Sequence, residues 1–120
     1  MKRIELFDRI IDKQASEDER KGTCMTLCWA YEASMRNTGN ELIDFDDCIW
    51  DDDPKQIAAI LKQNGIDSFT ISSSRSNLMP ALAEFEELGY KVCGMTKVKA
   101  SYYDWDTGEL AIVPALLLKA

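Results

Sequence analysis

The chain has no histidine among its 120 residues. That removes the commonest general base near neutral pH, the usual partner of a serine or cysteine nucleophile, and the most frequent protein ligand of zinc. A Ser-His-Asp or Cys-His hydrolase is excluded, and no other set of residues reads as a catalytic constellation. Nor does any apolar run approach the roughly 18 residues that a membrane span requires. From Met1 to Asp12, charges recur every few positions where a signal peptide would be apolar. The expectation is a cytoplasmic protein with no membrane association. Proline (3) and glycine (6) are scarce, so each reads as local punctuation: a turn, a cap or a break in a strand.

What is present is one ordinary domain's worth of material, 46% of it apolar, expected to form a single unit over residues 1–120. A chain of this size buries roughly two-thirds of the surface that its unfolded form exposes, so it needs neither disulfides nor a metal. The four cysteines, Cys24, Cys28, Cys48 and Cys93, include only one close pair, whereas a histidine-free zinc site usually brings two. Cys24 and Cys28 lie among Met25, Leu27 and Trp29, where cysteine acts as a small buried hydrophobe. Neither a metal nor a cofactor is expected.

The pattern of apolar residues predicts an α+β fold. Ile4, Phe7, Ile10 and Ile11 mark an amphipathic helix from Lys2 to about Gln14. The polar stretch Ser16–Gly22 reads as a connection to a second helix, capped by Thr23 and carrying Cys24, Leu27, Cys28, Tyr31 and Met35 on one stripe. A third helix starts at Asp53-Pro54, with Gln56 completing a capping box, and stops at Asn64-Gly65. Ile66–Ser72 has the alternation of a strand, and a fourth helix runs from about Asn77 to Leu88 with Gly89 as its cap. Tyr90 to about Tyr103 reads as a strand whose wet face is basic (Lys91, Lys97, Lys99). Asp104–Gly108 is turn chemistry, and Glu109–Leu118 returns as a hairpin strand that Pro114 assigns to a sheet edge or a bulge. N-terminal helices followed by β-α-β-β, with a three-stranded sheet covered by helices on one face, is the expected architecture.

The net charge of −7 comes from one place. Glu41–Asp53 holds seven acids (Glu41, Asp44, Asp46, Asp47, Asp51, Asp52 and Asp53) and no base, while the remaining acids and bases balance at fourteen each. Such acids raise one another's pKa unless a cation, a helix N-terminus or a basic surface stabilises them. Three readings are open. A solvated loop is the plainest. A calcium site has the right ligand type but lacks the turn glycine and the bidentate glutamate of an EF-hand. A protein-binding surface fits if Phe45, Ile49 and Trp50 stand as apolar anchors among the carboxylates, the alternative being that they turn inward to the core. As binding residues, Asp44, Asp46, Asp47, Trp50, Asp51 and Asp52 are the candidates.

Ser72, Ser73, Ser74, Arg75 and Ser76 follow a strand and open a helix, the recurrent position for a phosphate or nucleotide. Against that, the loop has no glycine and no P-loop lysine, and serines before a helix commonly serve as caps. Asp104 and Asp106 are expected to bond their own turn backbone. Three lysines on one strand, with a pI near 4.5, do not make direct nucleic-acid binding.

At Phe69-Thr70-Ile71-Ser72, Leu78 through Phe85, Leu88-Gly89-Tyr90, Gly94-Met95-Thr96 and Asp106-Thr107-Gly108 to Val113-Pro114-Ala115, the sequence resembles a family of small uncharacterised proteins. Those proteins are carried by conjugative and other mobile elements of Gram-positive gut bacteria, and the resemblance covers roughly residues 55 to 118. It implies an accessory, cytoplasmic role, carries over no activity or site residue, and leaves the acidic segment outside. The leading expectation is a non-enzymatic accessory protein that binds another protein through segment 41–53 or through the C-terminal edge strand. With Leu116-Leu117-Leu118 bare, that edge would also serve a homodimer. The alternatives are a small phosphate or nucleotide binder at Ser72–Ser76, and an acidic nucleic-acid mimic that blocks a DNA-binding enzyme.

Overall fold

Helical spacing of Ile4, Phe7, Ile10 and Ile11 forms α1 (Glu5–Ile11) in the computed structural model, which describes residues 3–50, 52–73 and 78–120, Cys48 and Trp50 by backbone alone. Phe7 is fully buried against Tyr31, ring edge to face at 5.4 Å. The Tyr31 hydroxyl accepts from the Ile4 N–H (3.0 Å) and donates to Asp8 (3.1 Å), which fastens α1 to the core. The expected polar connection at 16–22 is instead a short helix, α2 (Glu17–Lys21). Its cause is a capping box: the Ser16 hydroxyl accepts from the Glu19 N–H, and the Glu19 carboxylate accepts from the Ser16 N–H.

Helix α3 (Met25–Glu32) buries Leu27, Cys28, Ala30 and Tyr31, as its stripe predicts. It begins one residue later than Thr23 would set it, with Cys24 in the cap position and no side-chain bond there. At its other end it widens into a π-helical turn, Ala33–Thr38, in which the Thr38 hydroxyl donates to the Ala33 carbonyl (3.0 Å), and Gly39 closes the turn at φ 70°. A two-residue strand, β1 (Asp44–Phe45), and a 3₁₀ turn, Asp47–Trp50, follow inside the acidic segment. The Asp53 carboxylate then caps α4 (Pro54–Gln63) through the Lys55 N–H (3.1 Å), without the reciprocal bond expected from Gln56.

After α4 come β2 (Ser68–Ile71), α5 (Met79–Glu87), β3 (Lys91–Tyr103) and β4 (Leu110–Lys119). The Asp104 carboxylate accepts from the Asp106 N–H in the β3–β4 turn, as expected of turn chemistry. The fold is α+β, but among the described residues the sheet has four strands, not three, in the order β1-β2-β4-β3. The fourth strand is β1, parallel to β2 with Asp44 opposite Thr70 and Phe45 opposite Ile71. β4 runs antiparallel to both neighbours, so β2 and β3 point the same way but do not touch.

That order corrects the placement of the C-terminal strand. β4 lies inside the sheet, with Leu116–Lys119 paired to β2 on one side and to β3 on the other, and Leu118 fully buried. The outer strands are β1 and β3. Pro114 is tolerated because β2 ends opposite Leu116, so at Pro114 only β3 is a neighbour. β3 is exposed nearly throughout, Val98 being its one buried residue, and not on its lysine side alone. Its outer position and the reach of the hairpin beyond β2 explain that difference.

The core gathers around Phe69. Its ring meets Phe45 (5.4 Å), Phe85 of α5 (5.1 Å) and Tyr90 (5.3 Å). Burial pushes the Tyr90 hydroxyl up to about 12, and it donates to the Ile66 carbonyl (2.6 Å). Among the described residues, no helix is long and apolar enough to cross a membrane.

Candidate functional site

Side chains alternate along a strand, so Asp44, Thr70 and Ser72 lie on the opposite side of the sheet from Phe45 and Phe69. There the two regions that sequence reading treats separately meet. Asp44 accepts from the Thr70 hydroxyl on one oxygen (2.6 Å) and from the Ser72 hydroxyl on the other (2.6 Å). Asp47 accepts from the Ser73 hydroxyl (2.7 Å). The acidic segment and the first half of the serine loop are one site at the carboxyl ends of the parallel strands β1 and β2, the end where open α/β sheets place ligands.

Asp44, Asp47, Ser72 and Ser73, with Asp46, form the floor of a cleft of about 580 Å³. One wall is α3 with its π-turn, which supplies Trp29, Ser34 and Thr38; the other is the hairpin, with Lys99, Tyr102 and Val113. The volume lies within the range of small-ligand and side-chain pockets. Asp46 and Asp47 are exposed at the floor, while Trp29 is 51% and Tyr102 61% exposed, leaving aromatic surface beside carboxylates. Burial, reinforced by the neighbouring charge of Asp46, holds the Asp44 carboxyl above the usual carboxylate range against the pull of its two hydroxyl donors.

One short segment frames the cleft. Ser34 accepts from the Asp44 N–H (2.9 Å) on the outer strand β1. Asn40 pairs its side-chain amide with both the N–H and the carbonyl of Lys99 (2.9 Å each) on the opposite outer strand, β3. Residues 34–40 thus span the mouth between the two edges of the sheet. A π-helical turn of this kind, with its wider spacing, is a frequent feature of functional sites.

Of the candidate binding residues, Asp44, Asp46 and Asp47 come together in the cleft with Ser72 and Ser73. Asp52 does not join them: its carboxylate accepts from the Thr26 N–H (3.2 Å) and so caps α3 from 26 residues away, where a local cap is missing. Asp51, Ser74, Arg75 and Ser76 lie outside the described residues, as does the side chain of Trp50. Phe45 and Ile49, expected as anchors among the acids, turn inward and are buried. Sequence reading missed Trp29, Ser34, Asn40 and Tyr102. Only Trp29 left a signal, since it falls off the Cys24, Leu27, Cys28, Tyr31 stripe of its helix.

Cys24 and Cys28 are buried free thiols whose pKa burial raises, the reverse of an activated nucleophile. Among the described residues, no three histidine, cysteine or acidic side chains converge to hold a metal ion. The hydroxyls of Ser72 and Ser73 donate to carboxylates, so the described half of the serine loop offers an anion negative charge rather than free donors.

Comparison with curated proteins and with solved structures returned no match. One family model does match, from within α3 to the end of β4, and so takes in the acidic segment and every element of the cleft. By that match over residues 26–120, the chain belongs to the family described as a domain of unknown function, DUF7698.

Proposed function

We propose that the protein is a non-enzymatic binding module whose acidic cleft receives a basic side chain from an extended segment of a partner protein. The observation that carries this reading is the convergence of Asp44, Asp46 and Asp47 with exposed aromatic surface of Trp29 and Tyr102 in one cleft. Carboxylates beside aromatic faces suit a guanidinium or ammonium group, which gains charge pairing from the first and cation–π attraction from the second. The same carboxylates weigh against a phosphate or nucleotide at Ser72–Ser73. A nucleic-acid mimic would need acids spread over most of a face, whereas here they gather in a cleft and the outer strand β3 carries Lys91, Lys97 and Lys99. The accessory role in a mobile element rests on the resemblance over residues 55–118 alone.

The test is calorimetric titration with two short unstructured peptides, one containing arginine and lysine, the other with glutamine in their place. The reading predicts saturable binding of the basic peptide, weakened about tenfold or more in the Asp46→Asn/Asp47→Asn variant and weakened by added salt. Equal binding of both peptides, or equal binding by the variant, overturns it.

A further inference from the structure

The outer edge of β3 at Met95 and Lys97 lies outside the cleft, whose lining on β3 begins at Lys99. We infer that it takes an extended, acidic segment of a partner protein as an added strand. In an antiparallel pair, opposite residues alternate between exchanging both backbone bonds and exchanging none. Lys99 gives its N–H and carbonyl to the Asn40 side chain, so its backbone groups point away from β4. By alternation, those of Lys97 and Met95 point the same way. Lys97 stands opposite Pro114, which has no N–H to exchange, and this agrees with that phase. The outer edge therefore presents the donors and acceptors of Met95 and Lys97 on the outermost strand of the sheet. Asn40 already occupies the next position in the manner of one added residue.

The side chains specify the occupant. Met95 (65% exposed) and Ile112 (66% exposed) lie on the same face as Lys97 and Lys99, since the pairs Met95–Leu116, Lys97–Pro114 and Lys99–Ile112 are successive same-side positions of the ladder. Residues 88–103 contain three lysines and no acid. An added strand that alternates acidic residues with apolar ones would set its carboxylates on the face of Lys97 and Lys99 and its apolar side chains on the other face, that of Thr96 and Val98. A second copy of this chain does not meet that description. β3 against β3 opposes lysine to lysine, and the acidic segment of a second copy is already folded as β1, a 3₁₀ turn and the cap of α4. Lysines on an outer strand also guard it against self-pairing, so selection of an acidic partner and exclusion of a second copy have one cause.

The experiment titrates the protein with a ten-residue peptide alternating glutamate and valine, with a lysine–valine peptide of equal length as control. Amide exchange is followed by nuclear magnetic resonance. The glutamate peptide should slow exchange at Met95 and Lys97 at least tenfold at saturation, and the lysine peptide should not. In a Lys97→Glu variant, which leaves the cleft lining intact, the preference read at the amides of Met95 and residue 97 should reverse. A Lys97→Pro variant removes an outward N–H without touching the β4 ladder and should lose the glutamate peptide while keeping its thermal midpoint. Asp46→Asn/Asp47→Asn, which disables the cleft, should bind it unchanged, so the two readings fail separately. No binding of the glutamate peptide, binding without protection at Met95 and Lys97, or an unchanged preference in the charge-reversed variant overturns the inference.

Discussion

At Asp44, burial and hydrogen bonding pull in opposite directions. Burial raises its pKa, and the Thr70 and Ser72 hydroxyls counter without cancelling it. At Asp8 the balance falls the other way: burial alone would raise its pKa, but the bonds from Arg3 and Tyr31 and the charge of Arg36 hold it below the ordinary carboxylate range. Linkage turns the two into opposite signs. Asp44 binds its proton more tightly folded than unfolded, so its contribution is full below the unfolded carboxylate pKa and is lost as pH rises through the higher folded value. Asp8 contributes above the unfolded value and loses that contribution as pH falls through its lower folded value. Urea denaturation between pH 3 and 7 should find Asp44→Asn gaining on the wild type as pH rises, staying within about 1 kcal/mol of it at neutral pH. Asp8→Asn should lose ground over the same range. Parallel trends in the two variants would contradict these environments.

Among the elements, α3 depends on a residue far along the chain. It starts without a side-chain cap of its own, and the Asp52 carboxylate serves its Thr26 N–H. Asp52→Ala should cost about 1 kcal/mol in chemical denaturation and leave peptide binding in the cleft unchanged; a loss of binding equal to that of Asp46→Asn/Asp47→Asn would place Asp52 in the cleft instead. Elements with local signals were legible in the sequence. Asp53-Pro54 announces α4, Gly89 closes α5, and the Asp104 turn joins two alternating strands. Ser16 and Glu19 carried an equally local signal for α2 that polarity obscured. β1 was not legible: two residues are too few to show alternation, and their partners Thr70 and Ile71 lie 26 residues downstream. The interior position of β4 was hidden for the same reason, because Pro114 reports on its own neighbourhood and not on the four residues beyond it. The cleft divides likewise. Its acids and serines stand out by composition, but their hydrogen bonds to one another, and the approach of Trp29 and Tyr102, are products of the sheet.

Over the whole molecule, charge and backbone polarity sort onto two surfaces. Asp44, Asp46 and Asp47 gather at the carboxyl ends of β1 and β2, and Lys91 and Lys97 lie along the opposite outer strand. Residues 34–40 bridge the two, with Ser34 on β1 and Asn40 on β3. A basic ligand in the cleft and an acidic strand on β3 would therefore meet the same segment from its two ends. Measurement of where a basic peptide binds tests the central claim most directly: backbone amide shifts of the labelled full chain, followed as an arginine-containing peptide is added. The account predicts saturable shifts confined to Trp29, the π-turn, Asp44–Asp47, Ser72–Ser73 and Tyr102, and their loss in Asp46→Asn/Asp47→Asn. Shifts spread over the acidic surface without saturation, or none at the cleft, would contradict it.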